Sequence, residues 1–277
     1  AMNKVRVEQE IREFAHHPSV LSWLLVDEGD QRGWSPVKAK AMGDFIRAID
    51  PSRVVGMVLR DCASYANTVD LLLPNPFTLN SNPTPQYELS EWLVGKQTVA
   101  ANALQPTVVV PLLQAIKAEE MYKKSDLNVG RNPSFDEVRC ISYLAIAAGN
   151  QGVLYGFYHS SSNYMKDYPQ HWENMKRLAS ELRERTPIFL GEKVDPPVKM
   201  SGEGLVSFAR QHGDSTYLFV INPDVSPKQL TLLFNQEVVS VRLLEKSQDL
   251  TIPVRKFSTT TKPFKVQTYR MRMRRTK

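Results

Sequence analysis

Two consecutive carboxylates, Asp27 and Glu28, follow a short apolar run, Leu21–Val26. An acid at the end of a buried strand can give or take a proton beside a bound substrate. Hydrolysis of a glycosidic bond needs two such carboxyl groups across the bond. They stand about 5–5.5 Å apart for retention and about 6.5–9.5 Å apart for inversion. Asp27 and Glu28 cannot be that pair alone, because neighbours in an extended chain point to opposite sides. A second acid must come from another strand end. Asp61, just past the run Arg53–Leu59, is the nearest candidate, and Glu119 and Glu120 are loop candidates. Asn75 and Gln114, at two further strand ends, have the amide groups to hydrogen-bond a sugar. Trp34, Phe77, Tyr122, Tyr158, Tyr164 and Tyr168 all fall after predicted strands, where aromatic faces can cover sugar C–H surfaces or simply the rim of the fold. His159 and the serines 160–162 follow a strand end too. No acid–His–Ser spacing accompanies them, so His159 is taken as a substrate contact and the serines as a solvated loop.

Other chemistries lack their signatures. The chain has no G-x-S-x-G, G-x-G-x-x-G or G-x-x-x-x-G-K motif. Cys62 and Cys140 are the only cysteines and the five histidines are scattered, which predicts neither a disulfide framework nor a metal site. No cofactor is implied. The net charge of +6 is concentrated in Arg270, Arg272, Arg274, Arg275 and Lys277, and the remainder is nearly neutral. Tyr269, Met271 and Met273 alternate with those arginines, which predicts a last strand with one solvated face rather than a nucleic-acid or lipid surface. No apolar run is long enough to span a membrane, and the charged N-terminus has no signal-type core. The compartment is left open.

The elements that must position these residues alternate. Strands are predicted at 21–26, 53–59, 69–74, 107–113 and 152–159, and helices at 5–16, 36–49, 86–103, 134–149 and 171–185. Ser35-Pro36 is an N-cap with proline at the first helical position, and Ser134 with Glu137 is a capping box. The strands are apolar on both faces, as in parallel sheets, and the loops after them are long. The fold class is α/β. From about residue 193 the pattern changes to short β-type runs with a Gly213-Asp214 hairpin signal. Residues 1–192 are therefore read as one domain and residues 193–277 as a small antiparallel β-sandwich.

The stretch HPSVLSWLLVDE (17–28) resembles the fourth strand of (β/α)8-barrel glycoside hydrolases of the large retaining superfamily, whose motif reads like HPSV-x-x-W-x-L-x-N-E. His17, Pro18, Ser19, Val20, Trp23, Leu25 and Glu28 match, and Asp27 stands where Asn is usual. The resemblance implies that Glu28 is the general acid/base and that Asp27 contacts the substrate 2-hydroxyl. The string VRCISYLAIAAGNQGVLYGFYH resembles the last helix–strand unit of such barrels. The later strands would then be the fifth to eighth, giving a partial (β/α)8 barrel of about five units. Gln114 stands where the resemblance places a nucleophilic Glu, and an amide cannot form a glycosyl ester. The alternative is thus a carbohydrate-binding or interaction protein on a degenerate glycosidase scaffold. Five strands cannot close a barrel. The chain is expected to be part of a longer protein, to pair with a second copy or a complementing chain, or to form an open sheet.

Overall fold

The computed structural model describes residues 4–76, 78, 79, 84–104, 106–115, 131–156, 159, 160, 163–235, 238–250 and 255–274. Of residues 159, 160 and 163 only the backbone is described. The elements run α1 (Lys4–Phe14), β1 (Ser22–Leu24), α2 (Pro36–Ile49), β2 (Val54–Leu59), β3 (Leu71–Pro74), α3 (Tyr87–Ala101), β4 (Val108–Val109), β5 (Leu112–Gln114), α4 (Phe135–Ala147), β6 (Leu154–Gly156), β7 (His159–Ser160), β8 (Asn163–Tyr164) and α5 (Pro169–Phe189). Then come β9 (Glu192–Lys193), β10 (Val198–Ser201), β11 (Val206–His212), β12 (Ser215–Ile221), β13 (Lys228–Phe234), β14 (Val238–Leu243), β15 (Gln248–Leu250), β16 (Lys256–Thr261) and β17 (Val266–Met273). The α/β class is borne out, with one parallel sheet and several antiparallel ones.

The chain divides into two compact units. The first comprises residues 1–77, 91–113 and 148–155, and the second residues 78–90, 114–147 and 156–277.

In the first unit β1-β2-β3-β4 form a parallel sheet, with Trp23 opposite Val55, Gly56 opposite Leu71 and Leu71 opposite Val108. Ser35 Oγ accepts the amide of Lys38 at 3.2 Å and starts α2, as its position before Pro36 predicts. Asp50 ends the helix and ties it to the sheet, accepting the Trp23 indole N–H at 2.9 Å. Ala39, Met42 and Ile46 of α2 pack on the face that carries Val55, Met57, Leu59 and Leu72. The opposite face carries Leu24, Val54 and Val108, which are 53%, 46% and 38% exposed.

The predicted strand 107–113 is two strands. Pro111 has no N–H to give a ladder. Before it, β4 pairs with β3; after it, β5 pairs with β6.

In the second unit, Ser134 and Glu137 cap α4 reciprocally, with N–H···O distances of 2.8 and 3.3 Å. A six-stranded antiparallel sheet, β15-β14-β17-β12-β11-β9, and a three-stranded one, β10-β13-β16, share one apolar cluster that includes Leu218, Leu230, Leu232 and Tyr269. Gly213, at φ +58°, makes the β11–β12 turn. In β17 Tyr269 and Met271 are buried, while Arg270 and Arg272 lie on the other face within 3.7 Å of Asp214.

Candidate functional site

The chain stays beside β2 after β1 ends. Leu25 donates to the Gly56 carbonyl at 2.9 Å and Gly29 to the Val58 carbonyl at 3.2 Å. A Cβ at position 29 would stand 1.8 Å from Met57 Cε and 2.7 Å from Val26 Cγ1, so any larger residue there requires those side chains to shift. The turn is made one residue earlier. Glu28 has φ +46°, a left-handed conformation that side chains other than glycine rarely adopt. Its carbonyl accepts from the amides of Gln31 and Arg32, both at 3.0 Å. Such a conformation costs about 1–3 kcal/mol and collects at functional sites.

The turn separates the two neighbouring acids. Asp27 is half exposed and meets Arg32 at 3.3 Å. The Glu28 side chain is only 15% exposed, and its Oε1 accepts from Asn75 Nδ2 at 2.7 Å. Arg60 Nε stands 3.7 Å from the same oxygen. Glu28, Arg60 and Asn75 thus converge from beyond β1, β2 and β3, at the C-terminal ends of parallel strands, where α/β proteins build their sites. Asn75 is 4% exposed, and its Oδ1 is buried with no partner among the described residues. That oxygen can accept a hydrogen bond from a ligand hydroxyl.

Asp30 braces the group and has no counterpart among the residues picked out from sequence. Its Oδ2 accepts the amides of Arg60 at 3.0 Å and Asp61 at 2.7 Å. Its position two residues after Glu28 is the sole local signal, because its partners lie 30 and 31 residues away.

Other candidates sit elsewhere. Asp61 accepts from Ser64 Oγ at 2.7 Å and from the Ala63 amide at 3.0 Å, bonds that turn the chain into the short helical turn Ala63–Tyr65. The Ser64 hydroxyl bond, against the pull of burial, holds its carboxyl below the usual range. Trp34 is packed in the core of the first unit, 9% exposed, with Lys38 Nζ 4.2 Å above its ring. Gln114, in the second unit, is 1% exposed, and its Oε1 accepts the Leu79 amide at 3.0 Å. Tyr164 is partly exposed beneath Lys166, and the Tyr168 amide bonds the Met165 carbonyl. Phe77, Glu119, Glu120, Tyr122, Tyr158 and residues 161–162 lie outside the described residues, as does the His159 side chain. Both cysteines are free and buried, and burial pushes the Cys62 thiol up to about 12. Among the described residues no group of three or more His, Cys, Asp or Glu is placed to hold a metal ion, and no helix is long and apolar enough to cross a membrane.

No family model and no curated protein matches the sequence. Solved structures do match. An α-amylase from Geobacillus thermoleovorans, solved with acarbose, superposes with a TM-score of 0.60 at 11% identity, over 98% of this chain and 64% of the amylase. A family 27 β-L-arabinopyranosidase from Geobacillus stearothermophilus, with arabinose, gives 0.58 at 11%, over 97% and 62%. A family 5 glycoside hydrolase from Bacteroides vulgatus gives 0.56 at 14%, over 98% and 67%. The fold is that of glycoside hydrolases, as the resemblance of residues 17–28 implies. The chain spans less than two thirds of the length of the first of these structures.

Proposed function

We propose that this chain is a glycosidase-like protein acting on a carbohydrate, with Glu28 as the general acid/base. The observation that carries the reading is the strained Glu28 turn, which aims a nearly buried carboxyl at the amide of Asn75. A glycine at this position would relieve the strain, whereas the glutamate brings a carboxyl to Asn75 and Arg60. In its protonated form Glu28 would give its proton to the glycosidic oxygen as that C–O bond breaks and a loop carboxylate, Glu119 or Glu120, bonds to the anomeric carbon. As a carboxylate it would then take a proton from the water that displaces this glycosyl ester. Asn75 would fix the carboxyl, and its free Oδ1 would accept a sugar hydroxyl. Asp27, on the other side of the turn, would orient substrate, although Arg32 now holds it. Residues 1–192 would form a partial (β/α)8 barrel and residues 193–277 a β-sandwich. Among the described residues β1 pairs with β2 alone, and a second copy or a complementing chain would cover that edge.

Replacing Glu28 by Gln tests this reading. It should lower turnover of an unactivated glycoside about 10²- to 10⁴-fold while substrate still binds. Unchanged turnover would refute the role of Glu28.

A specific observation favours a second reading, binding without turnover. Gln114 is buried and its amide oxygen is used by the Leu79 N–H. Among the described acids of the first unit, Asp27, Asp30 and Asp61 all have other engagements. A mechanism-based fluorosugar should then leave Gln114 unlabelled. Labelling of Glu119 or Glu120 would identify a loop nucleophile and favour turnover.

A further inference from the structure

The second unit contains a cavity of about 500 Å3 between α4, α5 and the strands β14, β16 and β17. Its lining holds six basic and four acidic side chains. Most of these charges cancel in place. Arg139 bonds Glu181 at 2.8 Å and Glu245 at 3.1 Å, and Arg185 meets the same two carboxylates at 3.4 and 3.2 Å. Lys265 pairs with Asp136 at 2.7 Å. Burial of the Glu181 carboxyl favours its neutral form, but the bonds from Arg139 and Tyr143 outweigh that and hold it below the usual range. The network therefore stays ionised and self-compensated.

Four charges remain around it. Lys246 and Lys262 have no carboxylate partner among the described residues. Arg177 has only the ring of Phe135, 4.4 Å away. Glu184, which accepts from Ser180 Oγ at 3.2 Å, is the one acid outside the ion pairs. The uncompensated charge is positive. Arg177 comes from α5, Lys246 from the turn after β14, and Lys262 from the end of β16. All three line the same hollow, so one ligand within reach of them would neutralise them together. The volume suits a small molecule rather than a polymer segment.

We propose that this cavity binds a small molecule bearing a phosphate or carboxylate group, with Arg177, Lys246 and Lys262 supplying the charge-assisted hydrogen bonds. The site is independent of Glu28 and does not rest on the carbohydrate reading.

Calorimetric titration of the full chain at low ionic strength is the test, with inorganic phosphate, glucose 6-phosphate, glucuronate and neutral glucose as probes. At least one anionic probe should bind saturably at or below about 10 mM, glucose should not bind here, and added salt should weaken the anion. Phosphate binding without glucuronate would identify a phosphate source, and the converse a carboxylate. The triple variant R177A/K246A/K262A should lose about tenfold or more in affinity. These side chains are exposed, so folding should survive; K246A and K262A singly give the same readout if it does not. No saturable anion binding, or binding of undiminished affinity in the variants, would overturn the proposal.

Discussion

The side-chain amide of Asn75 donates a 2.7 Å hydrogen bond to Glu28 Oε1, joining positions 47 residues apart beyond the ends of β1 and β3. β2 lies between those two strands, so the bond spans the sheet end across Arg60. The carboxyl of Glu28 is thus held by a residue just beyond β3, whose backbone amide bonds the Leu59 carbonyl at 3.4 Å, as well as by its own turn. If Glu28 acts as proposed, Asn75→Ala should lower kcat about 10²-fold, because a small misplacement of a reacting group is that costly. KM should change less than kcat. Steady-state kinetics on an unactivated glycoside checks this, and an unaltered kcat would remove Asn75 from the positioning of Glu28.

The left-handed turn gives a second expectation. Glu28→Gly and Glu28→Ala both abolish the bonds to Asn75 and Arg60, so those losses cancel between the two variants. What remains is the conformation, which alanine resists and glycine accepts. The glycine variant should be more stable than the alanine variant by about 1 kcal/mol. Urea unfolding of both proteins measures it. Equal stability would mean that the turn stores no strain.

Elements whose signals lie within one helical turn were legible from sequence. Ser35 with Pro36, and Ser134 with Glu137, meet their partners three residues on, so local order fixed them. The same kind of signal was present at Asp61, whose carboxyl bonds the Ala63 amide and the Ser64 hydroxyl two and three residues on. Glu28 stood out because it, with His17, Pro18 and Trp23, resembles a strand motif of glycoside hydrolases. What the spacing left hidden depended on distant partners. Trp34 follows a strand, as a sugar platform would. Its burial is set instead by elements that come together only in the fold, and Tyr65, 31 residues on, bonds its carbonyl. The split at Pro111 likewise followed from which strand each half meets.

A third expectation concerns acid. Asp224 accepts from Lys228 Nζ at 2.7 Å, from the Tyr87 hydroxyl and from the Ser226 amide at 3.1 Å. Lys228 first, then Tyr87, hold its carboxyl well below the usual range. A carboxyl whose folded value is depressed stabilises the fold above its unfolded value, near about 3.9, and that stability is lost as pH falls toward the folded value. Asp224→Asn should therefore be less stable than the parent at pH 7, and the gap should narrow as pH falls below about 4. Urea midpoints across that range decide it. A gap that stays constant with pH would show that the ionised carboxyl is not what ties Tyr87 to the loop before β13.

The last expectation comes from the parallel sheet of the first unit. β1 ends that sheet and pairs, among the described residues, with β2 alone. Beside it, α1 and β1 line a groove of about 440 Å3 that reaches Ile11, Trp23 and Leu25. Leu24, Val54 and Val108 expose one face of the same sheet to water. Exposed apolar side chains at about 25 cal/mol per Å2, together with unpaired strand N–H and C=O groups, favour association over solvation. Two copies meeting through equivalent edges would form a two-fold dimer, the commonest closed symmetry. Light scattering at micromolar concentration should therefore give a mass above the 31.5 kDa of one chain. Leu24→Ser with Val54→Ser should shift the equilibrium toward that single-chain mass, since both changes remove apolar surface without touching the face packed on α2. If the purified chain stays a stable monomer, the exposed face is covered in solution by some rearrangement within the chain. A complementing chain would then be unnecessary. If it self-associates and the double variant does so equally well, the contact lies elsewhere and the sheet edge is not what drives it.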